Sequence, residues 1–229
     1  MSSTTTQPYN GPLGKGTFTT TITVKDRKDT DYLCSTRLDA IFTLKLDGGG
    51  SKKKAKEVEV GYIAAYIIDK TLTEPGVKGA LGRLWVQELL RNPEDEGEMA
   101  TVFRALYTRG GARRPALTPF ANQLKGSRVC ILDTLIIERR FRGNGNGIGA
   151  MALAGFHALL PNLRGKRAFK GTVLLSPGMP LVTEKDYPGY DINVSEQILQ
   201  RFYQRSGGYE AFVTMADKHA LRTVMGRTV

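Results

Sequence analysis

Four glycines alternate with other residues shortly after the most apolar run of this chain. Residues 128–137 read RVCILDTLII, which is typical of a strand buried on both faces in the middle of a sheet. The alternating glycines occupy 143–149, and the apolar spacing of residues 148–159 predicts an amphipathic helix. A second short apolar run, 169–176, predicts another buried strand. This part of the chain is therefore predicted to be a β-α-β unit.

A glycine-rich turn between a strand and a helix favours phosphate binding. Without Cβ atoms the backbone can turn tightly and direct its amides at an anion, and the helix N-terminus adds about half a positive charge. Arg139, Arg140 and Arg142 stand beside the turn. The alternative is a tight loop that only needs positive φ angles, although four glycines exceed what one turn requires. The pattern lacks the Lys-Ser/Thr of a P-loop and fits the dinucleotide motif GxGxxG poorly.

The segment 135–147, LIIERRFRGNGNG, resembles the acyl-CoA-binding motif of the Gcn5-related N-acetyltransferase (GNAT) family. In that motif a strand precedes Arg/Gln-x-x-Gly-x-Gly/Ala at the start of a helix. Arg142, Gly145 and Gly147 match it, and Asn146 stands where an aliphatic residue is usual. The run 199–209, LQRFYQRSGGY, is similar to the helix-to-strand motif of the family, with one extra glycine. The resemblance covers roughly residues 128–213.

The resemblance implies that acetyl-CoA is the acyl donor and that an amine, on a small molecule or a protein, attacks its thioester directly. It also implies which residues bind the acyl-CoA: Leu135, Ile137, Arg142, Gly143, Asn144, Gly145, Asn146, Gly147 and Ile148. By the same resemblance Tyr203 protonates the leaving thiolate, unless it is only a core anchor. No metal is required.

A general base must accept the proton of the amine. Asp133 is the candidate, because an acid in a buried strand has a raised pKa. The alternative for Asp133 is a structural role, with a hydrogen bond to neighbouring backbone or an ion pair with Arg128. Glu138 at the end of the strand is a weaker candidate base.

The whole chain of 229 residues is predicted to be one α/β domain of the acyl-CoA N-acyltransferase type. We expect a mixed, mostly antiparallel sheet of six or seven strands with helices on both faces. Residues 1–16 are predicted to be a flexible tail, and 17–229 to form the domain, with a helical insertion around 72–125. The remaining predicted elements are strands at 17–24, 38–46, 58–69 and 209–213, a basic hairpin loop at 52–56, and helices at 81–90, 98–107 and 194–206.

The formal net charge of +11 is the unusual feature of the composition. Basic residues dominate 104–142, so the charge is segregated and predicts a face that attracts an acidic partner. The alternative function is therefore a non-enzymatic basic binding module on a GNAT-like scaffold, with nucleic acid or an acidic protein as partner. No apolar signal segment or membrane span is evident, and two isolated cysteines predict neither disulfides nor zinc. We expect a cytoplasmic or nuclear protein without a membrane partner, and we interpret Cys130 as an inert core thiol.

Overall fold

The computed structural model describes residues 2–25, 32–47, 57–79, 82–91, 97–143, 145–163, 167–177, 192–214 and 222–229, with the backbone alone for 192–195. Eight strands in the described residues form one sheet in the order β1-β2-β3-β4-β5-β6-β8-β7. They are β1 (Ser2–Gly11), β2 (Gly14–Val24), β3 (Ser35–Leu46), β4 (Glu57–Asp69), β5 (Arg128–Ile137), β6 (Thr172–Leu175), β7 (Glu210–Val213) and β8 (Val224–Thr228). Every neighbouring pair is antiparallel except β5 and β6, which are parallel. The predicted mixed, mostly antiparallel sheet is confirmed, with one strand more than expected.

Five helices accompany the sheet in the described part of the chain. They are α1 (Leu84–Val86), which continues as a π-helical turn (Gln87–Arg91), α2 (Glu98–Leu106), α3 (Ala121–Leu124), α4 (Ile148–Leu159) and α5 (Ile192–Gly207). Short 3-10 turns occur at Pro115–Phe120, Arg139–Phe141 and Leu160–Asn162. Helices α1 to α3 all lie between β4 and β5 in the chain, within the predicted insertion. The basic loop 52–56, and residues 92–96 between the two predicted helices, lie outside the described residues.

The two faces of the sheet bury two separate hydrophobic clusters. Alternate residues of β5 divide between them: Cys130 and Leu132 face the cluster that contains α4, and Val129 and Ile131 face the cluster that contains α1 and α2. Helices on both faces are thus confirmed. The prediction that β5 is buried on both faces holds for residues 129–132, whereas 133–137 are half-buried.

The prediction of a flexible tail over residues 1–16 is wrong for the described residues 2–16. Strand β1 pairs with β2 along its whole length, from Ser2 opposite Thr23 to Gly11 opposite Gly14. The run SSTTTQPY lacks an apolar period because one face of this edge strand is exposed. Its threonines nevertheless have high β propensity, and Tyr9, 3% exposed, anchors the strand in the core.

Helix α4 lies close to β1 and β2 because Gly155 has no side chain. A Cβ at that position would lie 2.3 Å from Oγ1 of Thr20. The Gln7 side-chain amide also donates a hydrogen bond to the carbonyl of Met151 (3.4 Å). The predicted apolar face of this helix is confirmed, and its position fixes where the glycine loop at its N-terminus sits.

His157 on α4 is buried and uses both ring nitrogens in the core. Its Nε2 lies 2.8 Å from the Tyr209 hydroxyl, and its Nδ1 lies 3.2 Å from Nη1 of Arg227. Burial, with a smaller effect of the Arg227 charge, lowers the pKa of His157 to about 3. His157 is therefore neutral in the folded protein at neutral pH.

We predict that the free energy of unfolding decreases as the pH falls below about 6.5, the pKa of an unfolded histidine. Below that pH the histidine is protonated in the unfolded chain but stays neutral in the folded protein. The free energy of unfolding therefore decreases by up to about 1.4 kcal/mol per pH unit until the pKa of folded His157 is reached. Urea unfolding between pH 7 and 4.5 measures this dependence, and a His219→Gln background leaves His157 as the one histidine of the chain. Adding His157→Gln should flatten the dependence; an unchanged slope would contradict the prediction.

Candidate functional site

A cleft opens where β5 and β6 part. The two strands pair only through Val129–Ile131 and Thr172–Leu174, after which β6 ends at Leu175 while β5 continues to Ile137. The cavity in this gap has a volume of about 740 Å³. Its walls are the second half of β5, the glycine loop with the start of α4, Ser176 after β6, and one face of α5. Loss of the β6 partner explains why residues 133–137 are only half-buried.

The glycine loop forms one end of the cleft in a left-handed backbone conformation. Gly143, Gly145 and Gly147 have φ angles of 68°, 70° and 68°, a region that favours glycine. Gly147 is the N-cap of α4, and the first hydrogen bond of the helix runs from the Met151 amide to the Gly147 carbonyl. The amides of residues 148–150 precede that bond and have no acceptor within the helix. The positive end of α4 therefore borders the cleft.

Two polar side chains hold this loop in place. The Arg142 Nε donates to the carbonyl of Ile137, which closes the turn that follows β5. The Asn146 side-chain amide donates to the carbonyl of Phe141 (3.4 Å). Asn146 is 6% exposed, and its Oδ1 is buried without a hydrogen-bond partner among the described residues. Both residues line the cleft.

Helix α5 closes the cleft opposite the loop. A Cβ at Gly149 would lie 3.0 Å from Cζ of Phe202, so the absence of a side chain there lets α5 approach the start of α4. Tyr203 follows on the same helix and is 7% exposed, with its ring 5.8 Å from that of Tyr209. Burial and the negative charge of Glu98 raise the pKa of Tyr203. Its phenol stays protonated at neutral pH and can donate a proton.

A β-bulge sets the position of Asp133. Ala64 of β4 pairs with Thr134 and Ala65 with Leu132, so Asp133 is the extra residue of β5. Burial raises the pKa of its carboxyl group, while the Thr134 hydroxyl and the charge of Arg37 lower it. That hydroxyl lies 3.1 Å from Oδ2 of Asp133. The predicted high pKa is confirmed in direction, and the hydrogen bond found is to a side chain rather than to backbone.

A second carboxyl group, Glu98, lies beside the cleft, and the sequence analysis did not select it. Its Oε2 accepts a hydrogen bond from Nη1 of Arg222 (2.8 Å). Burial raises the pKa of Glu98, and the Arg222 charge and the neighbouring Ser176 hydroxyl oppose that rise. The only signal in the sequence was an acidic residue at the start of a helix, which usually marks nothing more than a favourable helix terminus.

The structure brings the predicted site residues together. Every described member of the predicted set lines the cleft, namely Asp133, Leu135, Ile137, Arg142, Gly143, Gly145, Asn146, Gly147, Ile148 and Tyr203. Asn144 lies outside the described residues. Cys130 is fully buried, and burial raises the pKa of its thiol, as expected of a core residue. The lining residues of the cleft that were not selected include Ser176 and the apolar residues of α5.

A second cavity of about 640 Å³ lies at the other end of α2. Its charged lining residues are all arginines, Arg91, Arg104, Arg109 and Arg114, with Tyr107 among them. The Arg114 Nε donates to the carbonyl of Arg104 (3.0 Å), which keeps two of them side by side. Three arginines of the basic segment 104–142, Arg104, Arg109 and Arg114, thus line one cavity with Arg91, whereas Arg142 of the same segment lines the cleft.

No helix in the described part of the chain is long and apolar enough to cross a membrane. No group of three or more His, Cys, Asp or Glu side chains in these residues is placed to hold a metal ion.

We predict that Gly147→Ala lowers the free energy of unfolding by about 1–2 kcal/mol, because an L residue is strained in this left-handed conformation. The strain is conformational, since a Cβ at Gly147 would meet no atom within 4 Å. Gly110→Ala is the control, because that glycine also has open space around it but lacks a positive φ. Urea unfolding of both variants tests this, and equal effects would contradict it.

The chain was also compared with known proteins. No protein-family model, no curated protein and no solved structure matches it. What the cleft can do therefore has to follow from its own residues.

Proposed function

We propose that this chain is an acyl-CoA-dependent N-acyltransferase of the GNAT type that transfers an acetyl group to a primary amine. The observation that carries the proposal is the arrangement of one cleft. The glycine loop lies at one end of it, and Asp133 on β5 and Tyr203 on α5 line its walls. The volume of about 740 Å³ lies within the usual range for small-molecule sites.

The glycine loop suits the diphosphate of CoA. Amides at the start of α4 have no acceptor within the helix, and the helix dipole favours negative charge there. Arg142 lies on the same loop and adds a full positive charge. These groups would hold the diphosphate by charge-assisted hydrogen bonds.

The free edge of β5 suits the pantetheine arm, which carries two amide groups. Beyond Ile131 this strand has no β6 neighbour, so part of its backbone hydrogen-bonding capacity faces the cleft. An extended chain with amides can pair with such an edge as an added strand would. Leu135 and Ile137 supply apolar contacts on the same strand. The thioester would then lie toward Asp133, at the bulge.

The bound acyl-CoA supplies an activated acetyl group, and the residues of the chain position it and move protons. The amine nitrogen forms a bond to the thioester carbon, and the C–S bond breaks with its electron pair on sulphur. Tyr203 donates its proton to that thiolate, because burial keeps its phenol protonated. The carboxylate of Asp133, the predicted base, accepts a proton from the amine. The products are an amide and CoA with a free thiol.

The alternative function is a basic binding module without catalysis. The arginine-lined cavity at the end of α2 favours it, because four guanidinium groups in one concave surface attract a polyanion. This surface and the cleft are separate, so the experiment below distinguishes the two functions.

We predict that acetyl-CoA and CoA raise the melting temperature, whereas NAD and ATP at equal concentration have little effect. A ligand at 100 times its Kd stabilises the folded state by about 2.7 kcal/mol. A thermal-shift experiment with the four ligands measures this. Equal shifts from all four would indicate a general anion site and support the alternative.

Arginine variants sharpen the same experiment. Arg142→Ala is expected to weaken CoA binding by about 1–3 kcal/mol through loss of a charge-assisted hydrogen bond to phosphate. Arg139→Ala is the matched control, because Arg139 is exposed on the neighbouring 3-10 turn and does not line the cleft. The loss should be smaller at high salt if Arg142 acts through exposed charge.

We predict that Tyr203→Phe lowers kcat by about 10²–10⁴-fold while CoA affinity changes little, because only the proton donor is lost. Release of CoA thiol from acetyl-CoA in the presence of an amine measures kcat. Tyr209→Phe is the matched control, a buried tyrosine beside Tyr203 whose hydroxyl bonds to His157 outside the cleft. Full activity of Tyr203→Phe would leave Tyr203 as a core anchor.

A further inference from the structure

The cavity of about 640 Å³ at the end of α2 belongs to the helical segment that lies outside the GNAT resemblance. Its lining residues carry four guanidinium groups, and no Asp or Glu is among the lining residues that the structure describes. Like charges in one concave surface repel one another, and the apolar material around them concentrates their field. An anion that enters the cavity is therefore attracted by several groups at once. They are Arg91, Arg104, Arg109 and Arg114.

A turn after α2 brings two of these arginines together. The Arg114 amide donates to the Leu106 carbonyl (3.0 Å), so the chain folds back along the end of the helix. Gly111 within this turn has a φ angle of 82°, a region that favours glycine. The Arg114 Nε then reaches the carbonyl of Arg104 (3.0 Å). Arg104 and Arg114 are both half-buried, so the fold holds their charges at this place.

A buried lysine adds positive charge behind the cavity. Lys70, which follows β4, is 8% exposed, and its Nζ donates hydrogen bonds to the Leu124 carbonyl (2.7 Å) and the Tyr107 hydroxyl (3.3 Å). Tyr107 lines the cavity. Burial, with a smaller effect of the Arg83 charge, lowers the pKa of Lys70 to about 8, so the lysine is still mainly protonated at neutral pH. Its two acceptors are neutral groups and leave the charge uncompensated.

The lining residues favour the carboxylates of a peptide over a single-stranded nucleic acid. A planar guanidinium pairs with a carboxylate through two parallel hydrogen bonds, and several guanidiniums in one cavity suit several neighbouring carboxylates. A single strand also needs an accessible aromatic ring on which its bases stack. Tyr107 is the aromatic residue among the described lining residues, and it is 5% exposed, with its ring packed against Trp85 (5.0 Å) and Phe103 (5.6 Å).

Helix α2 connects this cavity to the cleft. The helix begins at Glu98, whose carboxyl group neighbours the Ser176 hydroxyl, and Ser176 lines the cleft. It ends at Leu106, next to the cavity residue Tyr107. Its nine residues span about 13 Å, which about four residues of extended peptide cover. A peptide with an amine in the cleft can therefore place a side chain about four to eight residues away in the cavity.

We propose that the arginine-lined cavity is a docking site for an acidic peptide segment of the protein that carries the acceptor amine. This inference rests on the proposed acyl transfer and makes its acceptor a polypeptide. The acidic segment binds the arginines, and an amine farther along the same chain reaches the cleft. Docking raises the local concentration of the amine and takes no part in bond formation, so it lowers KM and leaves kcat unchanged.

The first experiment compares two synthetic peptides as acceptors. One carries a lysine, a Gly-Ser spacer of about six residues and a run of glutamates, and its matched control has glutamines in place of the glutamates. Release of CoA thiol from acetyl-CoA measures kcat and KM for both. The acidic peptide is expected to have a KM about tenfold lower at equal kcat. The difference should diminish at high salt, because salt screens exposed charge. Equal KM values would overturn the proposal.

Variants of exposed arginines test where the acidic segment binds. Arg91→Gln/Arg109→Gln removes two charges from exposed side chains that line the cavity. The ratio of kcat/KM for the acidic peptide to kcat/KM for the glutamine peptide should fall about tenfold in this double variant. Arg113→Gln/Lys125→Gln is the matched control, because both residues are exposed, neither lines the cavity, and the net charge changes equally. Equal effects of the two double variants would indicate attraction by net charge alone and overturn the docking site.

The chain itself contains acidic residues that follow Arg91 in the sequence. They are Glu94, Asp95 and Glu96, and they lie outside the described residues. Fluorescence anisotropy of a labelled glutamate peptide is therefore measured with the parent protein and with the variant E94Q/D95N/E96Q. Binding by the parent supports the proposal. Binding by the triple variant alone would overturn it, because acids of the same chain would then compensate the arginines.

Peptide binding without acetyl-CoA separates the failure of this inference from the failure of the proposed function. If the acidic peptide binds through Arg91 and Arg109 but neither peptide is acetylated, the acyltransferase function is wrong and the acceptor role of the docked peptide falls with it. If both peptides are acetylated equally well, acyl transfer stands and the docking site is overturned alone. Tighter binding of a single-stranded or duplex oligonucleotide, lost in Arg91→Gln/Arg109→Gln, would overturn the assignment of a peptide.

Discussion

The parallel contact between β5 and β6 is the constraint on which the cleft depends. It spans three residue pairs, after which β6 ends and β5 continues for six residues, 132–137. A parallel sheet buried on both faces normally leaves no space between its strands. Here the early end of β6 leaves a strand edge without a partner, and α4 and α5 cover the gap without filling it. The glycine loop begins where β5 ends, so the cavity is bordered by the N-terminus of α4.

Burial and nearby arginine charges have opposite effects on the pKa values of the carboxyl groups at the inner side of the cleft. Burial disfavours the ionised forms of Asp133, Glu98 and Tyr203. Arg37 offsets part of that cost for Asp133, and Arg222 does so for Glu98. The charge of Asp133 raises the pKa of Glu98, and the charge of Glu98 raises the pKa of Tyr203.

Local patterns in the sequence were sufficient for the elements that bound the cleft. The apolar run of β5, the alternating glycines and the period of α4 predicted a strand, a turn and a helix, and the described residues of the predicted site meet in one cavity. The sequence did not reveal Glu98, because its place depends on how α2 packs against β5, a contact between segments about thirty residues apart. It also misjudged β1, since pairing with β2 and one buried tyrosine order a stretch that has no apolar period. Strand β8 was missed because a five-residue strand with a glycine gives almost no periodic signal.

Strand β1 also determines how the sheet meets its surroundings. The neighbouring strand, β2, contains the run TFTTTITV at residues 17–24, which has high β propensity and no charge. A strand of this composition pairs readily with other chains when its edge is exposed. The hydroxyl-rich outer strand covers that edge, and Pro8 removes one backbone donor from it. Shortening the chain from its N-terminus would therefore do more than remove a polar segment. It would expose the uncharged edge of β2, along which other chains can pair and aggregate.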